Sequence, residues 1–278
     1  MKTAFKTKEG KQEVLRAYDN FLKKWNLSYE EIRIETTFGE TYIIASGDTN
    51  ASPLILLHGT GMNSVMWLSE VKEYSKNYRV YAIDIIGEPG KSYENQLPLT
   101  EDFYAEWLKQ VLNILNIDKV KLIGISLGAW VAIKFSVSYA KNIDKLVLIA
   151  PSGIQATKKS FIFIALTYCI RGEKGIEKLY YKINGNKPIP RMMLEYQKLI
   201  RKNFNYRKEA IPLFSDIELK KLTMPISLFV GGKDIMLHSY KTVERMRKLI
   251  PHTNINIYPD GGHSLVELSH EINKFLQD

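Results

Sequence analysis

The segment Val120-Lys121-Leu122-Ile123-Gly124-Ile125-Ser126-Leu127-Gly128-Ala129-Trp130 changes character in its middle. Residues 120–123 are a short apolar run of the kind buried on both faces of a sheet, and apolar residues from 127 to 139 recur at helical spacing. Between them stands Gly124-Ile125-Ser126-Leu127-Gly128, a G-x-S-x-G pattern in the strand, sharp turn and helix setting that gives it meaning. A serine in such a turn occupies a strained backbone position. Side chains two residues to either side would collide with the neighbouring strand and helix, so both positions are glycine. Ser126 is thereby expected at the carboxyl end of its strand, where open α/β sheets bind ligands. There the helix N-terminus directs amide N–H groups at any negative charge that forms.

Outward from this turn the chain repeats the same alternation. Short strand-like runs occur at residues 32–38, 41–45, 54–57, 80–83, 120–123, 146–149, 226–230 and 255–258. Helical patterns lie at 102–115, 127–139, 240–249 and 265–276, and an amphipathic pattern at 9–26 precedes the first strand. Gly39-Glu40 between the first two runs reads as a hairpin, placed at one edge of the sheet. The rest predicts an α/β fold with a mostly parallel sheet covered by helices on both faces.

One stretch breaks the rhythm. Residues 150–225 carry no buried-strand signal and are rich in Tyr, Phe, Lys and Arg. A structureless loop of that length is improbable in a compact domain, so the stretch reads as an inserted helical lid. It also explains the basicity. The 278 residues carry a net charge of +9, and residues 151–212 alone hold 13 Lys and Arg against 4 Asp and Glu. The rest of the chain is neutral, so the charge belongs to one segment and not to a chain-wide nucleic-acid surface. Base-stacking and nucleic-acid motifs are missing, and no nucleic-acid partner is expected.

The hydrophobic fraction of 45% and charged fraction of 25% suit a soluble globular protein and exclude wholesale disorder. A single cysteine, Cys169, excludes an internal disulfide, and with no Cys/His cluster there is no expected metal site. The charged N-terminus MKTAFKTKEGKQE is unlike a secretory signal, and the longest apolar run, 161–170, falls short of a spanning helix. The expectation is a cytoplasmic protein, monomeric or homodimeric, without stable membrane insertion.

A serine nucleophile needs a base, and the base needs an orienting carboxylate. His263 follows Gly261-Gly262 after the last strand, and Asp234 follows Gly231-Gly232-Lys233 after the preceding one. Both therefore fall on the rim that carries Ser126. Rival groups fit less well: His252 and His270 are expected at the surface, and His238 at a helix start. Asp84 is expected to fix the turn after its strand, and Pro151-Ser152-Gly153 offers no carboxylate. The developing oxyanion needs two donors. Leu127 N–H, next to the nucleophile, is one. Thr60 N–H, in the loop His58-Gly59-Thr60-Gly61, is the other, with His58 shaping that loop.

These motifs together resemble the α/β-hydrolase superfamily, close to its bacterial carboxylesterase-like members. The resemblance is carried by HGTG from His58, Trp67, DIIGEPGKS from Asp84 to Ser92, GISLGAW from Gly124, GGKD from Gly231 and GGH from Gly261. It covers the chain from about residue 30 to the end. It implies an eight-stranded sheet with strand 2 antiparallel and a helical cap after strand 6. The chain would then divide into an N-terminal helical extension (1–28), a first part of the core (29–151), the cap (152–212) and a second part of the core (213–278). The N-terminal helix, an addition to the minimal fold, is expected to pack its apolar stripe on the body.

Serine at the elbow argues against the dehalogenase and epoxide-hydrolase branches, which use a carboxylate. Ile125 departs from the histidine common in lipases, which favours small esters over interfacial lipolysis. Leu127 departs from the tryptophan of proline iminopeptidases. Carbon–carbon bond hydrolases and cofactor-free haloperoxidase-like members share the remaining features. The reading is a serine hydrolase cleaving carboxylic esters of small to medium apolar acyl groups, with no cofactor. Trp67, Phe161, Phe163 and Tyr168 are expected to line its acyl site. The alternative is a small-molecule receptor or signalling protein of the same fold, which keeps the triad but does not turn over.

Overall fold

In a computed structural model, which describes residues 4–278, eight strands form one sheet. They are β1 (Tyr29–Thr36), β2 (Gly39–Ser46), β3 (Ser52–Leu57), β4 (Tyr78–Ile83), β5 (Val120–Ile125), β6 (Ile143–Ile149), β7 (Ile226–Gly231) and β8 (Asn254–Tyr258). Their order is β1-β2-β4-β3-β5-β6-β7-β8. β2 runs antiparallel to both β1 and β4, and every pairing from β4 to β8 is parallel. The hairpin sits at an edge, as its turn predicts.

Ten helices accompany the sheet: α1 (Lys8–Leu22), α2 (Val71–Tyr74), α3 (Phe103–Ile114), α4 (Leu127–Ser138), α5 (Lys159–Cys169), α6 (Gly172–Ile183), α7 (Arg191–Asn203), α8 (Asp216–Leu219), α9 (Ser239–Leu249) and α10 (Ser269–Gln277). Because side chains alternate along a strand, the sheet divides its apolar residues between two cores. Ile55, Leu57, Leu122, Leu146, Leu148 and Leu228 face α3, α4 and α9, through Trp107, Trp130 and Met246. Leu54, Leu56, Ile123, Val147, Ile149 and Phe229 face the other way, towards α1, α2 and α10. Both faces of the central strands are buried, which is why those strands read as continuous apolar runs.

α4 occupies the middle of the first core and buries nine of its twelve residues. Its close seating depends on Gly128. A Cβ there would lie 2.3 Å from the Leu57 carbonyl oxygen and 2.5 Å from that of His58, both backbone atoms that cannot step aside. Gly128→Ala is expected to destabilise the protein by about 3 kcal/mol, measured as a lowered midpoint in urea unfolding.

α1 does more than cover the body. Tyr18 donates to Asp84 Oδ1 at 3.1 Å and Trp25 to Ser46 Oγ at 2.9 Å, which ties the segment to the sheet. The same helix packs Phe21 against Tyr196 of α7, ring centroids 5.0 Å apart. Ahead of it, Phe5 meets Phe204 edge to face, and Ala4 and Asn205 are joined through the backbone. The N-terminal segment thus holds the far end of α7 as well as the body, a contact the helical periodicity alone did not indicate. Residues 1–3 of the expected N-terminal extension lie outside the described residues.

α5, α6 and α7 all fall between β6 and β7, two strands that pair directly. Among the described residues no helix is long and apolar enough to cross a membrane.

Candidate active site

The backbone at Ser126 has φ 53° and ψ −109°, a conformation rare for a residue with a side chain. It persists because the surroundings hold it from both sides. Ser126 N–H donates to the Ile149 carbonyl at 3.0 Å, anchoring the turn to β6, and Trp130 N–H returns to the Ser126 carbonyl at 3.0 Å as α4 begins. Gly124 is needed as much as Gly128, since a Cβ there would lie 2.5 Å from the Gly128 carbonyl oxygen.

His263 reaches this serine through its own pair of glycines. The Gly261-Gly262 loop runs so close to the end of β7 that a Cβ on Gly231 would lie 2.0 Å from the Gly262 carbonyl oxygen. A Cβ on Gly262 would meet Gly185 N at 2.2 Å and Ile183 O at 2.4 Å, just after α6. His263 N–H then donates to the Ile183 carbonyl at 2.8 Å. The residues that continue this loop also explain why α10 starts at Ser269 and not at 265 as periodicity predicts. Glu267, at φ 61°, breaks the helical path after the loop has positioned His263.

His263 Nε2 stands 3.1 Å from Ser126 Oγ, and its Nδ1 stands 2.8 Å from Asp234 Oδ2. Asp234 Oδ1 accepts Met236 N–H at 2.6 Å and Leu237 N–H at 2.9 Å. Burial alone would raise the pKa of this carboxyl, but the hydrogen bond and charge of His263 and the two amides hold it below the usual range. Asp234 is 2% exposed and His263 7% exposed, while Ser126 is half-buried. The three expected residues are therefore assembled into one hydrogen-bonded line, ending in a hydroxyl that remains accessible.

The two expected oxyanion donors lie in the loop after β3 and at the start of α4. Neither Thr60 N–H nor Leu127 N–H donates to a protein acceptor among the described residues. The Gly59 Cα lies close to the nucleophile, because a Cβ built on it would fall 3.6 Å from Ser126 Cβ. His58 is fully buried, its Nε2 accepting Ile85 N–H at 2.9 Å and its Nδ1 facing the Gly59 carbonyl at 2.9 Å. Burial lowers its pKa, so it shapes the loop as a neutral ring. Asp84 fixes the next turn, accepting Ser64 N–H at 2.8 Å and Lys91 N–H at 2.7 Å.

The expected acyl-site residues fall in different surroundings. Trp67 is 2% exposed and belongs to the second core. It ends a short 3-10 turn, Ser64–Trp67, that faces inward beneath the sheet rim. Phe163 departs in the opposite direction and is 71% exposed, because α5 packs on α6 and buries none of its own side chains. Phe161 and Tyr168 are half-buried, with Arg171 and Lys182 over the Tyr168 ring at 5.5 and 6.0 Å.

Three polar groups in and around this site were not singled out by sequence. Ser152 Oγ lies 3.4 Å from Ser126 Oγ, and Lys158 Nζ donates to the Asp234 carbonyl at 2.5 Å. Glu88 is buried beside the oxyanion loop and accepts Gly61 N–H. Ser152 alone carried a usable signal, as it directly follows the strand next to β5.

The family described as the alpha/beta hydrolase fold matches residues 52–168. Carboxylesterase YbfK of Bacillus subtilis (strain 168) is 30% identical over 258 residues, which span 90% of this chain and 87% of the relative. The chain belongs to the α/β-hydrolase family, among its carboxylesterase-like members. Solved relatives of this α/β-hydrolase superpose over nearly the whole chain. The crystal structure of carboxylesterase CesB (YbfK) from Bacillus subtilis has a TM-score of 0.86 at 28% identity, covering 96% of this chain and 98% of that one. That of naproxen esterase (carboxylesterase NP), from the same organism, has a TM-score of 0.85 at 26% identity, covering 98% and 99%.

Proposed function

We propose that this α/β-hydrolase cleaves carboxylic esters of small to medium apolar acyl groups through a Ser126–His263–Asp234 triad and an acyl-enzyme. Its likeness to proteins named carboxylesterase and naproxen esterase supports ester hydrolysis. The observation that carries the finer reading is the unbroken line from Asp234 through His263 to Ser126, with contacts of 2.8 and 3.1 Å.

In this reading His263 takes the Ser126 proton at Nε2 as Oγ attacks the ester carbonyl. Asp234 keeps the other ring proton on Nδ1 and stabilises the imidazolium that forms. The tetrahedral oxyanion rests on the amides of Thr60 and Leu127, which have no protein acceptor to give up. His263 then protonates the leaving alcohol, and the same ring activates water to release the acid. The helices α5 to α7 act as the cap over this site. The His263 amide bound to Ile183 and the Lys158 ammonium bound to Asp234 join that cap to two triad loops.

The test is steady-state hydrolysis of p-nitrophenyl esters from acetate to decanoate. Continuous turnover with an optimum at short to medium chains is the expected result. A single burst of one equivalent, followed by no further release, would instead mean a protein that acylates without turning over. An optimum at decanoate would overturn the small-to-medium acyl assignment.

A further inference from the structure

Of the buried acids outside the triad, Glu88 is the one that holds the loop carrying Thr60. Glu88 follows Gly87 in the segment after β4 and is 1% exposed. Its Oε2 accepts Gly61 N–H at 2.7 Å. Gly61 has φ +68°, and its amide belongs to the peptide immediately after Thr60. The Thr60 N–H therefore sits one peptide away from a buried carboxylate that fixes the next peptide plane.

The other oxygen of Glu88 faces a cation from the cap. Glu88 Oε1 and Arg207 Nε lie 3.7 Å apart, both buried and both without a hydrogen-bond partner. Arg207 leaves the cap just beyond α7. Its remaining nitrogens are fixed on the body, Nη1 donating to the Leu97 carbonyl at 3.2 Å and Nη2 to Tyr104 Oη at 2.6 Å. Tyr206, the residue before it, presses on the oxyanion loop so closely that a Cβ on Gly61 would lie 2.3 Å from its ring. Asn63 reinforces the joint, donating to the Pro89 carbonyl at 2.7 Å while contacting Tyr196 Oη of α7 at 2.7 Å.

We infer that Glu88 is a positioning residue of the oxyanion hole, one that aims the Thr60 amide and, through Arg207, couples that aim to the seating of the cap. This rests on the Thr60 amide being an oxyanion donor. An anionic Oε2 holds Gly61 N–H by a charge-assisted bond, and Arg207 is the charge that makes the anion tolerable in a buried site. Burial raises the carboxyl of Glu88 to about 7, against the opposing pull of Arg207 and of Gly61 N–H. The other ionisable groups around it are Tyr206 and Glu209 on the same segment as Arg207, and Tyr104 on α3. Glu88 is thus anionic above about pH 7 and takes up a proton below it, releasing both Gly61 and Arg207 from a charged partner. The hole loses its aim on the acid side.

The test compares wild type, Glu88→Gln and Arg207→Met with one p-nitrophenyl ester from pH 5 to 9, alongside inhibition by an aliphatic trifluoromethyl ketone whose serine adduct carries an oxyanion. Glu88→Gln is expected to lower kcat by about tenfold with KM within twofold, because the donor is misaimed and not removed. It should weaken the ketone by a similar factor. The wild-type kcat should exceed that of Glu88→Gln by about tenfold above about pH 7 and converge on it at lower pH, as Glu88 takes up its proton. Arg207→Met, which leaves the carboxylate in place, should move the Glu88 inflection to higher pH, so the idea stays testable if Glu88→Gln does not fold. A change confined to KM, unaltered ketone inhibition, or an unmoved inflection in Arg207→Met overturns the inference. Ser126→Ala separates the two levels: turnover retained there sinks the triad itself, whereas an inactive Ser126→Ala beside a wild-type-like Glu88→Gln sinks only the role of Glu88.

Discussion

Ser126→Ala is expected to lower kcat by about 10³-fold or more while leaving the folded structure intact. The effect is large because, among the described residues, the Oγ removed is the one hydrogen-bonded to His263 Nε2. Ser152 Oγ, 3.4 Å from Ser126 Oγ, is not among the hydrogen-bond partners of the imidazole in the described residues and so does not take over its activation. Stability should change little, since alanine meets the same backbone strain at φ 53° that serine does. Single-turnover assays read the loss of the acylation burst, and thermal unfolding reads the retained fold. Residual turnover near the wild-type rate would remove Ser126 from the nucleophile role.

Asp234→Asn is expected to cost about 10⁴-fold in kcat, for a reason the hydrogen-bond directions make specific. Two backbone donors, the amides of Met236 and Leu237, point at Oδ1. An asparagine must present its carbonyl oxygen to them, which turns its NH₂ towards His263 Nδ1. The imidazole then has to accept at Nδ1 and carry its proton on Nε2, the atom that should be taking the proton from Ser126. The loss would be in kcat, at every pH where the wild type works. Asp234 itself adds no acid limb near neutrality, because its carboxyl is held below the usual range. Asp234→Asn with kcat within tenfold of wild type would show that tautomer control is not what this carboxylate provides.

Much of the site was legible because close packing constrains residue types. Gly124, Gly128 and Gly262 stand where any side chain would strike backbone, so the loops that carry Ser126 and His263 announce themselves by their glycines. The sheet was legible for a related reason, as its central strands are buried on both faces and read as mostly apolar runs. The elements that escaped are those whose shape is decided elsewhere. α2 and the 3-10 turn at Ser64 are too short for any periodicity to show. The late start of α10 follows from a loop that must first deliver His263. Glu88 looked like one more charged residue in a turn, since its burial depends on Arg207, more than a hundred positions away. Trp67 and Phe163 show what sequence could not foresee, one buried in a core and the other mostly exposed. Aromatic residues near a site suggest a lining, but the way α5 and the 3-10 turn pack decides which faces remain free.

The direct pairing of β6 with β7, Leu146 to Ile226 and Ile149 to Phe229, bears on how such an enzyme could be rebuilt. The sheet closes across residues 150–225 as if they were a loop, and loop-closure entropy grows only with the logarithm of length. Halving or doubling that segment would change the closure term by only about 0.6 kcal/mol. To the sheet, then, everything between those strands is an exchangeable cassette. The obstacle to grafting another in its place lies in side chains that cross the joint: Phe21 against Tyr196, Phe5 against Phe204, and Glu88 facing Arg207. A chimera cut only at residues 150 and 225 would keep its sheet and lose its alignment. One that carried residues 5–22 and residue 88 along with the cassette would keep these three contacts.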